Sequence, residues 1–256
     1  MENRKSNCSF QNRWGTYTAT CYPPSHEPGT VHPVVLFVHG FMARKEWYSW
    51  IGEYLANHGY AAFLFTVPSP RLPDPHQWSD GFKSAIDCLA DEGNQFHHMI
   101  NFEEIGTMGH SMGGLGALLA GYEDSRIKCI VGLAPAILPG VFQIPERINA
   151  LSKPVQLQIG SNDGLIPPLN VKAFFDGLST VHKSYVEIKG GNHIRFMNKG
   201  SVSIIGEYLT RFGTLGRHFK DDKAKISFED QHAKSSTSFL EWYQQHLRAR
   251  TLKDSA

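Results

Sequence analysis

The chain has few cysteines, and their spacing does not suit a metal ion. The four cysteines are Cys8, Cys21, Cys88 and Cys129, and they form no C-x-x-C pair. This spacing excludes the common zinc modules. Cys88 and Cys129 lie in apolar periodic segments, which predicts that both are small core residues. We expect Cys8 and Cys21 to stay unpaired.

A strong net charge and long apolar runs are also absent. The net charge is +1, and no basic run is interleaved with aromatic residues, so nucleic acid is not an expected partner. No apolar stretch approaches the roughly 20 residues of a membrane span. Residues 1–16 are polar and lack the apolar core of a secretory signal. This predicts a cytoplasmic protein, with a secreted mature form left open.

Apolar strands and amphipathic helices alternate along most of the 256 residues. This alternation predicts an α/β fold in which helices cover both faces of a mostly parallel sheet. We expect a single domain over residues 1–256, with its core at about 14–212. A C-terminal extension, 213–256, should carry a short amphipathic helix at 239–247. The segment 134–153 is too short for a large cap domain, which predicts an open cleft.

The individual elements follow from hydrophobic periodicity and from the glycine and proline residues that end each run. Residues 213–235 are polar and should break regular structure. Strands are predicted at 14–21, 31–38, 60–67, 102–108, 127–133, 154–159 and 184–188, and helices near 47–55, 79–90, 115–121, 167–175, 201–212 and 239–247.

The pentapeptide Gly109-His110-Ser111-Met112-Gly113 is the strongest functional signal. It stands between the apolar run 105–108 and the predicted helix 115–121. This strand–turn–helix context is that of a nucleophile elbow, where a sharp turn exposes a serine oxygen at a helix N-terminus. A purely structural glycine-rich turn is the alternative for the pentapeptide alone. Ser111 is therefore the candidate nucleophile.

A serine nucleophile needs a base, and the base needs a group that orients it. On this architecture the order along the chain is serine, then acid, then histidine. Asp163 follows the predicted strand 154–159, and His193 follows the strand 184–188 through a glycine turn. Asp176 is the alternative acid, but it lies inside a predicted helix. His193 is favoured because no other later histidine follows a buried strand so closely.

Acyl transfer also needs hydrogen-bond donors for the oxyanion. The segment 38–42 follows the first buried strand, so the backbone N–H groups of Phe41 and Met112 are the predicted donors. His39 is expected to brace this loop through a hydrogen bond. No metal is expected, because adjacent histidines such as His97 and His98 do not share one helix face. No Rossmann or Walker glycine pattern occurs, so no cofactor is expected.

With these motifs the sequence resembles the α/β-hydrolase superfamily and, within it, the cutinase-like polyester hydrolases. Dienelactone hydrolases, chlorophyllases and platelet-activating-factor acetylhydrolases are wider relatives. The resemblance covers about residues 34–212, and its specific stretches are 39–44, 109–114, 159–167 and 185–193. It implies an α/β-hydrolase fold with the roles already named: nucleophile Ser111, base His193, orienting acid Asp163, and oxyanion donors Phe41 and Met112.

The chain differs from the cutinase-like pattern at two positions of the cleft. Those enzymes carry a tryptophan after the strand that follows the nucleophile, where this chain has Ala136. They usually carry an aromatic residue after the histidine, where this chain has Ile194. We therefore expect a shallow acyl pocket that favours short to medium acyl esters over polyesters. The predicted cleft residues are Phe41, Met112, Ala136, Leu165, Ile166 and Ile194.

Together these features predict a serine hydrolase that cleaves carboxylic esters through an acyl-enzyme intermediate, with short to medium acyl esters as the expected substrates and polyesters left open. A thioesterase, lactonase or amidase on the same triad is the first alternative. A catalytically idle α/β-hydrolase domain that binds a ligand is the second, and the complete triad argues against it. The short segment 134–153 argues against a lidded lipase.

Overall fold

The structure is a computed structural model that describes residues 5–24, 29–68, 74–142, 144–201 and 222–247, apart from the side chain of Arg147. The strands are β1 Ser6–Asn12, β2 Gly15–Tyr22, β3 His32–Val38, β4 Ala61–Thr66, β5 Ile100–His110, β6 Ile127–Leu133, β7 Val155–Gly160 and β8 Lys183–Ile188. The α-helices of the described residues are α1 Ser49–Asn57, α2 Pro75–Ala90, α3 Met112–Glu123, α4 Pro168–Gly177 and α5 Phe228–His246.

These eight strands form one mostly parallel sheet in the order β1-β2-β4-β3-β5-β6-β7-β8. Strands β1 and β2 form an antiparallel hairpin, β2 is antiparallel to β4, and all other neighbours are parallel. Parallel strands need crossover connections, and helices α1 to α4 lie in the connections β3–β4, β4–β5, β5–β6 and β7–β8. The carboxyl ends of β3, β5, β7 and β8 consequently meet at one edge, where α/β proteins bind ligands.

Helices cover both faces of the sheet, as two tyrosines of β2 demonstrate. The hydroxyl of Tyr17 donates to the carbonyl of Gln77 in α2 at 2.8 Å. The ring of Tyr22 lies against Gly52 in α1, where an added Cβ would come within 2.6 Å of it. Residues five apart on a strand point to opposite faces, so α1 and α2 cover different faces. The predicted fold class is confirmed.

The C-terminal helix α5 is longer than predicted, and residues 228–235, expected to be irregular, are helical. The helix begins after Ser227, whose hydroxyl accepts from the N–H of Asp230 at 3.0 Å as an N-cap. Gln231 and Ser235 are fully buried polar residues of its first turns. Hydrophobic periodicity misses a buried face made of polar side chains, which explains the error. The predicted helix 201–212 lies outside the described residues except for Ser201.

Strand β1 was not predicted, because it is polar and Phe10 is its one buried residue. The four cysteines are free, and Cys129 is buried as expected. Between β6 and β7, the described residues contain one short 3₁₀ helix, Glu146–Ala150. None of the helices in the described part of the chain is long and apolar enough to span a bilayer.

Candidate active site

Ser111 lies at a strained turn between β5 and α3. Its φ of 55° and ψ of −118° place it among positive-φ conformations, which residues other than glycine rarely adopt. Two long-range backbone hydrogen bonds hold it there: its N–H donates to Leu133 at 2.9 Å, and its carbonyl accepts from Ala136 at 2.9 Å. Such strain persists only where neighbours over-determine it. The predicted sharp elbow between a strand and a helix is thus present at Ser111, and the role of Ser111 as nucleophile stays a prediction.

Glycines beside Ser111 allow three backbone segments to approach closely. A Cβ on Gly109 would collide with the carbonyl of Gly113, and a Cβ on Gly113 would collide with the carbonyl of Val38. A Cβ on Gly40 would lie 2.9 Å from the Cβ of Ser111. The loop after β3 is therefore held directly against the elbow, which is the arrangement that the predicted oxyanion donors require.

The predicted oxyanion donors lie on either side of this contact. Met112 is the first residue of α3, so its N–H has no acceptor within the helix. Phe41 follows Gly40 in the loop after β3. Both N–H groups therefore belong to segments that meet at the elbow.

His39 braces the loop after β3 through hydrogen bonds, as expected. Its Nε2 accepts from the N–H of Val67 at 3.1 Å, so the ring hydrogen must be on Nδ1, which donates to the carbonyl of Gly40 at 2.6 Å. The indole N–H of Trp78 donates to the carbonyl of His39 at 2.8 Å. Burial lowers the pKa of His39 to about 4, so the ring is neutral at neutral pH.

Asp163 and His193 meet in the loops that follow β7 and β8. The Nδ1 of His193 donates to Oδ2 of Asp163 at 2.8 Å, and both residues are buried. The other carboxylate oxygen, Oδ1, accepts from the N–H groups of Leu165 at 2.9 Å and Ile166 at 2.7 Å. These bonds fix the carboxylate in its loop. Asp176, the alternative acid, instead pairs with Lys172 on the exposed surface of α4.

Charge around His193 favours its protonated form. Burial alone would lower its pKa, but the carboxylate of Asp163, through its charge and hydrogen bond, and then the carboxylate of Asp222 raise the pKa above its usual value. A histidine with this surrounding is suited to accept a proton and hold it as imidazolium. Of these two carboxylates, sequence reasoning found Asp163 and missed Asp222.

The predicted cleft residues differ in the apolar surface that they expose. Phe41 and Leu165 are half-buried, and the Phe41 ring packs against Trp78 with centroids 6.5 Å apart. The remaining four are almost fully covered, with 2 to 9% of their surface exposed: Met112, Ala136, Ile166 and Ile194. Most of the apolar surface that these six residues offer a substrate therefore belongs to Phe41 and Leu165.

A buried pair, Tyr48 and His110, connects the elbow to the loop after β8 that carries His193, here called the base loop. This pair was not found from the sequence. The Nε2 of His110 contacts the carbonyl of His193 at 3.1 Å, and its Nδ1 contacts the hydroxyl of Tyr48 at 2.7 Å. Since a carbonyl only accepts, Nε2 carries the hydrogen and Nδ1 accepts from the tyrosine. Burial keeps the pKa of His110 well below its usual value, so the His110 ring stays neutral while it links Tyr48 to the carbonyl of His193.

We expect Tyr48→Phe to lower the free energy of unfolding and to change kcat for ester hydrolysis little. The substitution removes the O–H donor and leaves the buried Nδ1 of His110 unsatisfied, which costs about 1–3 kcal/mol of unfolding free energy. Chemical denaturation checks this, beside Tyr54→Phe, which removes a hydroxyl from a half-buried ring of α1. Equal stability of the two variants would contradict the assigned tautomer.

The sheet order, the serine at a strained turn after β5 and the bonded acid–histidine pair after β7 and β8 define an α/β-hydrolase fold. Within this class the chain belongs to the PET hydrolase-like family, whose sequence model matches residues 3–247.

Characterised relatives include two kinds of ester hydrolase by name. The bis(hydroxyethyl) terephthalate hydrolase of Streptomyces coelicolor is 28% identical over 204 residues, which cover 78% of this chain and 61% of that protein. Cutinase 2 of Thermobifida cellulosilytica is 25% identical over 173 residues, which cover 66% of this chain and 62% of that protein. The chain thus spans less than two thirds of the length of either relative.

Solved structures with the same fold are more distant in sequence. DcsB, in a complex with its substrate analogue, superposes with a TM-score of 0.71 at 14% identity, over 96% of this chain and 100% of that one. Est1E from Butyrivibrio proteoclasticus superposes with a TM-score of 0.61 at 19% identity, over 80% of this chain and 96% of that one. Identities this low demonstrate a shared fold alone.

Proposed function

We propose that this protein is a serine hydrolase that cleaves small carboxylic esters. The observation that carries the proposal is the meeting of three loops at one sheet edge. Ser111 stands at a strained elbow against the Gly40 loop, and His110, its neighbour, contacts the carbonyl of His193 at 3.1 Å. His193 in turn holds Asp163 at 2.8 Å. Nucleophilic acyl transfer by a serine needs such a set of a hydroxyl, a histidine base and a carboxylate that orients the histidine.

In the first half-reaction the Oγ of Ser111 attacks the ester carbonyl, and Nε2 of His193 takes the serine proton. Asp163 accepts from Nδ1, which keeps Nε2 free of hydrogen beforehand and stabilises the imidazolium afterwards. The N–H groups of Phe41 and Met112 bind the oxyanion of the tetrahedral intermediate. His193 then gives the proton to the leaving alkoxide oxygen, and an acyl-enzyme remains on Ser111.

In the second half-reaction water replaces the alcohol. His193 removes a proton from the water, whose oxygen attacks the acyl carbon, and the same two N–H groups bind the new oxyanion. Collapse of this intermediate breaks the bond to Oγ, which regains its proton from His193. The raised pKa of His193 supports this role, because a stable imidazolium lowers the cost of each proton transfer.

The substrate class follows from the family and from the exposed surface. Two relatives are named as hydrolases of an aromatic diester and of cutin, both of which are carboxylic esters. Among the six predicted cleft residues, Phe41 and Leu165 offer most of the exposed apolar surface. Ala136 is buried and supplies no aromatic surface. We infer that short to medium acyl esters are preferred and that polyesters are poor substrates.

We expect kcat/KM for nitrophenyl esters to rise from acetate to butyrate or octanoate and then to level off towards palmitate. Each buried methylene contributes about 0.8 kcal/mol, or about fourfold in kcat/KM. This gain continues until the acyl chain covers the apolar surface of Phe41 and Leu165, here called the apolar wall. Carbons beyond the wall remain in water and add nothing. An aromatic polyester film should be degraded slowly, because each missing ring contact costs about 0.5–1.5 kcal/mol.

The same panel separates the alternatives. Thioester, lactone and amide analogues with the butyrate acyl group are measured beside the esters, and a higher kcat/KM for one of them would replace the ester as the substrate class. A rate that rises steadily to palmitate would contradict the short wall. It would direct attention to an apolar surface cavity of about 270 Å³ beside α4, lined in part by Ile137, Pro139, Ile144 and Phe174.

A further inference from the structure

Asp222 forms hydrogen bonds with both loops that carry the acid and the base. Its Oδ1 accepts from the N–H of Gly164 at 3.0 Å and from the N–H of His193 at 2.8 Å. Its Oδ2 accepts from the N–H of Ile194 at 3.3 Å. Gly164 directly follows Asp163 in the chain. One carboxylate therefore binds the backbone of the base itself and of the residue beside the acid.

A carboxylate is the group that this position needs. Asp222 is buried, with 7% of its surface exposed, and the N–H groups of His193 and Ile194 would otherwise be unsatisfied buried donors. An ionised carboxylate only accepts, and its two oxygens together accept about four hydrogen bonds. Bonds to a charged acceptor are also stronger than neutral ones. An amide at this position presents one accepting oxygen and turns an N–H₂ group towards a further donor.

The C-terminal segment that carries Asp222 is itself anchored to the base loop. The side chain of Gln231 accepts from the N–H of Asn192 at 3.0 Å and donates to its carbonyl at 2.8 Å. The side-chain amide of Asn192 donates to the carbonyl of Asp222 at 2.9 Å. The N–H of Lys225 donates to the carbonyl of Gly190 at 2.7 Å. These bonds give Asp222 a fixed position relative to the loop.

We propose that Asp222 is a positioning residue for the hydrolytic reaction: it ties the acid loop to the base loop and thereby holds Asp163 and His193 in their hydrogen-bonded geometry. This inference rests on the proposed function. Asp222 does not touch the reacting atoms and acts through the backbone. Without it, each loop is free to relax separately, and a displacement of about 1 Å at a catalytic group can cost about a hundredfold in rate.

The charge of Asp222 adds a second, measurable effect. Among the described residues, three ionisable groups face His193: Asp163 at its ring, Asp222 at its backbone, and the ring of His110, whose centroid is 4.5 Å away. The two carboxylates raise the pKa of His193 against the effect of burial, while His110 remains neutral. Removing the Asp222 charge should therefore lower the pKa of His193.

Asp222→Asn tests the proposal in the full chain with nitrophenyl butyrate. We expect kcat to fall about ten- to a hundredfold. KM should change little, because Asp222 is buried and its carboxylate oxygens bind backbone N–H groups. The acid limb of the kcat/KM profile should move to lower pH, because the base then loses its proton at lower pH. The matched control is Asp230→Asn, which removes the same charge from an exposed residue of the same segment and should leave kcat and the profile unchanged.

A folded Asp222→Asn protein with wild-type kcat and an unmoved acid limb would overturn the proposal. If Asp222→Asn does not fold, Asp222→Glu takes its place: it keeps the charge but displaces the oxygens, so kcat should fall while the acid limb stays. Wild-type kcat in a folded Asp222→Glu protein would also overturn it. Failure of the proposed function is distinguishable, because the wild type would then not hydrolyse nitrophenyl butyrate, or Ser111→Ala would keep the wild-type rate.

Discussion

Ser111→Ala should lower kcat for ester hydrolysis by about 10⁴-fold or more while leaving the fold intact. Without the hydroxyl no acyl-enzyme forms, and only the oxyanion donors and substrate binding accelerate attack by water. Serine and alanine both carry a Cβ, so the strain of the turn at φ 55° is unchanged. The melting temperature should shift by about 2 °C or less. Steady-state kinetics and thermal unfolding check the two halves of this result.

Ser179→Ala is the control for this substitution, since it removes a hydroxyl from an exposed residue beyond α4. A fluorophosphonate probe should label wild type and the control at the peptide that contains Ser111, and should not label Ser111→Ala. If Ser111→Ala kept more than about a tenth of the wild-type kcat, Ser111 would not be the nucleophile.

Asp163→Asn and His193→Ala should each lower kcat by about 10⁴-fold. In Asp163→Asn the introduced amide would donate towards Nδ1 of His193, so the imidazole would carry its hydrogen on Nε2 and would be unable to accept the serine proton. The second carboxylate oxygen already accepts from Leu165 and Ile166, which the amide oxygen can still do, so the loop should stay folded. Single-turnover kinetics on nitrophenyl butyrate measure the loss in acylation.

Double variants provide the sharper test that Ser111, Asp163 and His193 act as one catalytic unit. Ser111→Ala combined with His193→Ala should be no slower than Ser111→Ala alone, because the residues act together and the unit is removed only once. Asp176→Asn and His182→Ala are the controls, since Asp176 pairs with Lys172 on the surface. Large losses in these controls, with activity retained in Asp163→Asn, would reverse the assignment of the acid and the base.

Local sequence was sufficient for the elbow and for most of the sheet. The turn at Ser111 is encoded within five consecutive residues, because the glycines at 109 and 113 are needed for close backbone contacts. The buried parallel strands β3 and β4 are almost continuous apolar runs, so their positions follow from composition. Asp163 and His193 could also be selected as candidates from the sequence, because the order of elements places the loops after β7 and β8 at the same edge of the sheet as Ser111. Their catalytic roles stay predictions that the variants above test.

The sequence by itself determined the α/β fold, the order of the candidate site residues along the chain and the sharp turn at Ser111, since these depend on periodicity and on local steric limits. Only the tertiary structure decided which polar groups hold the loops together. Asp222 bonds His193 across 29 residues and Tyr48 bonds His110 across 62. Nothing periodic marks such residues, because each is selected by a single partner that folding brings within hydrogen-bond distance. The polar inner face of α5 escaped prediction for the same reason, since Gln231 and Ser235 are buried against specific acceptors and donors rather than against an apolar core.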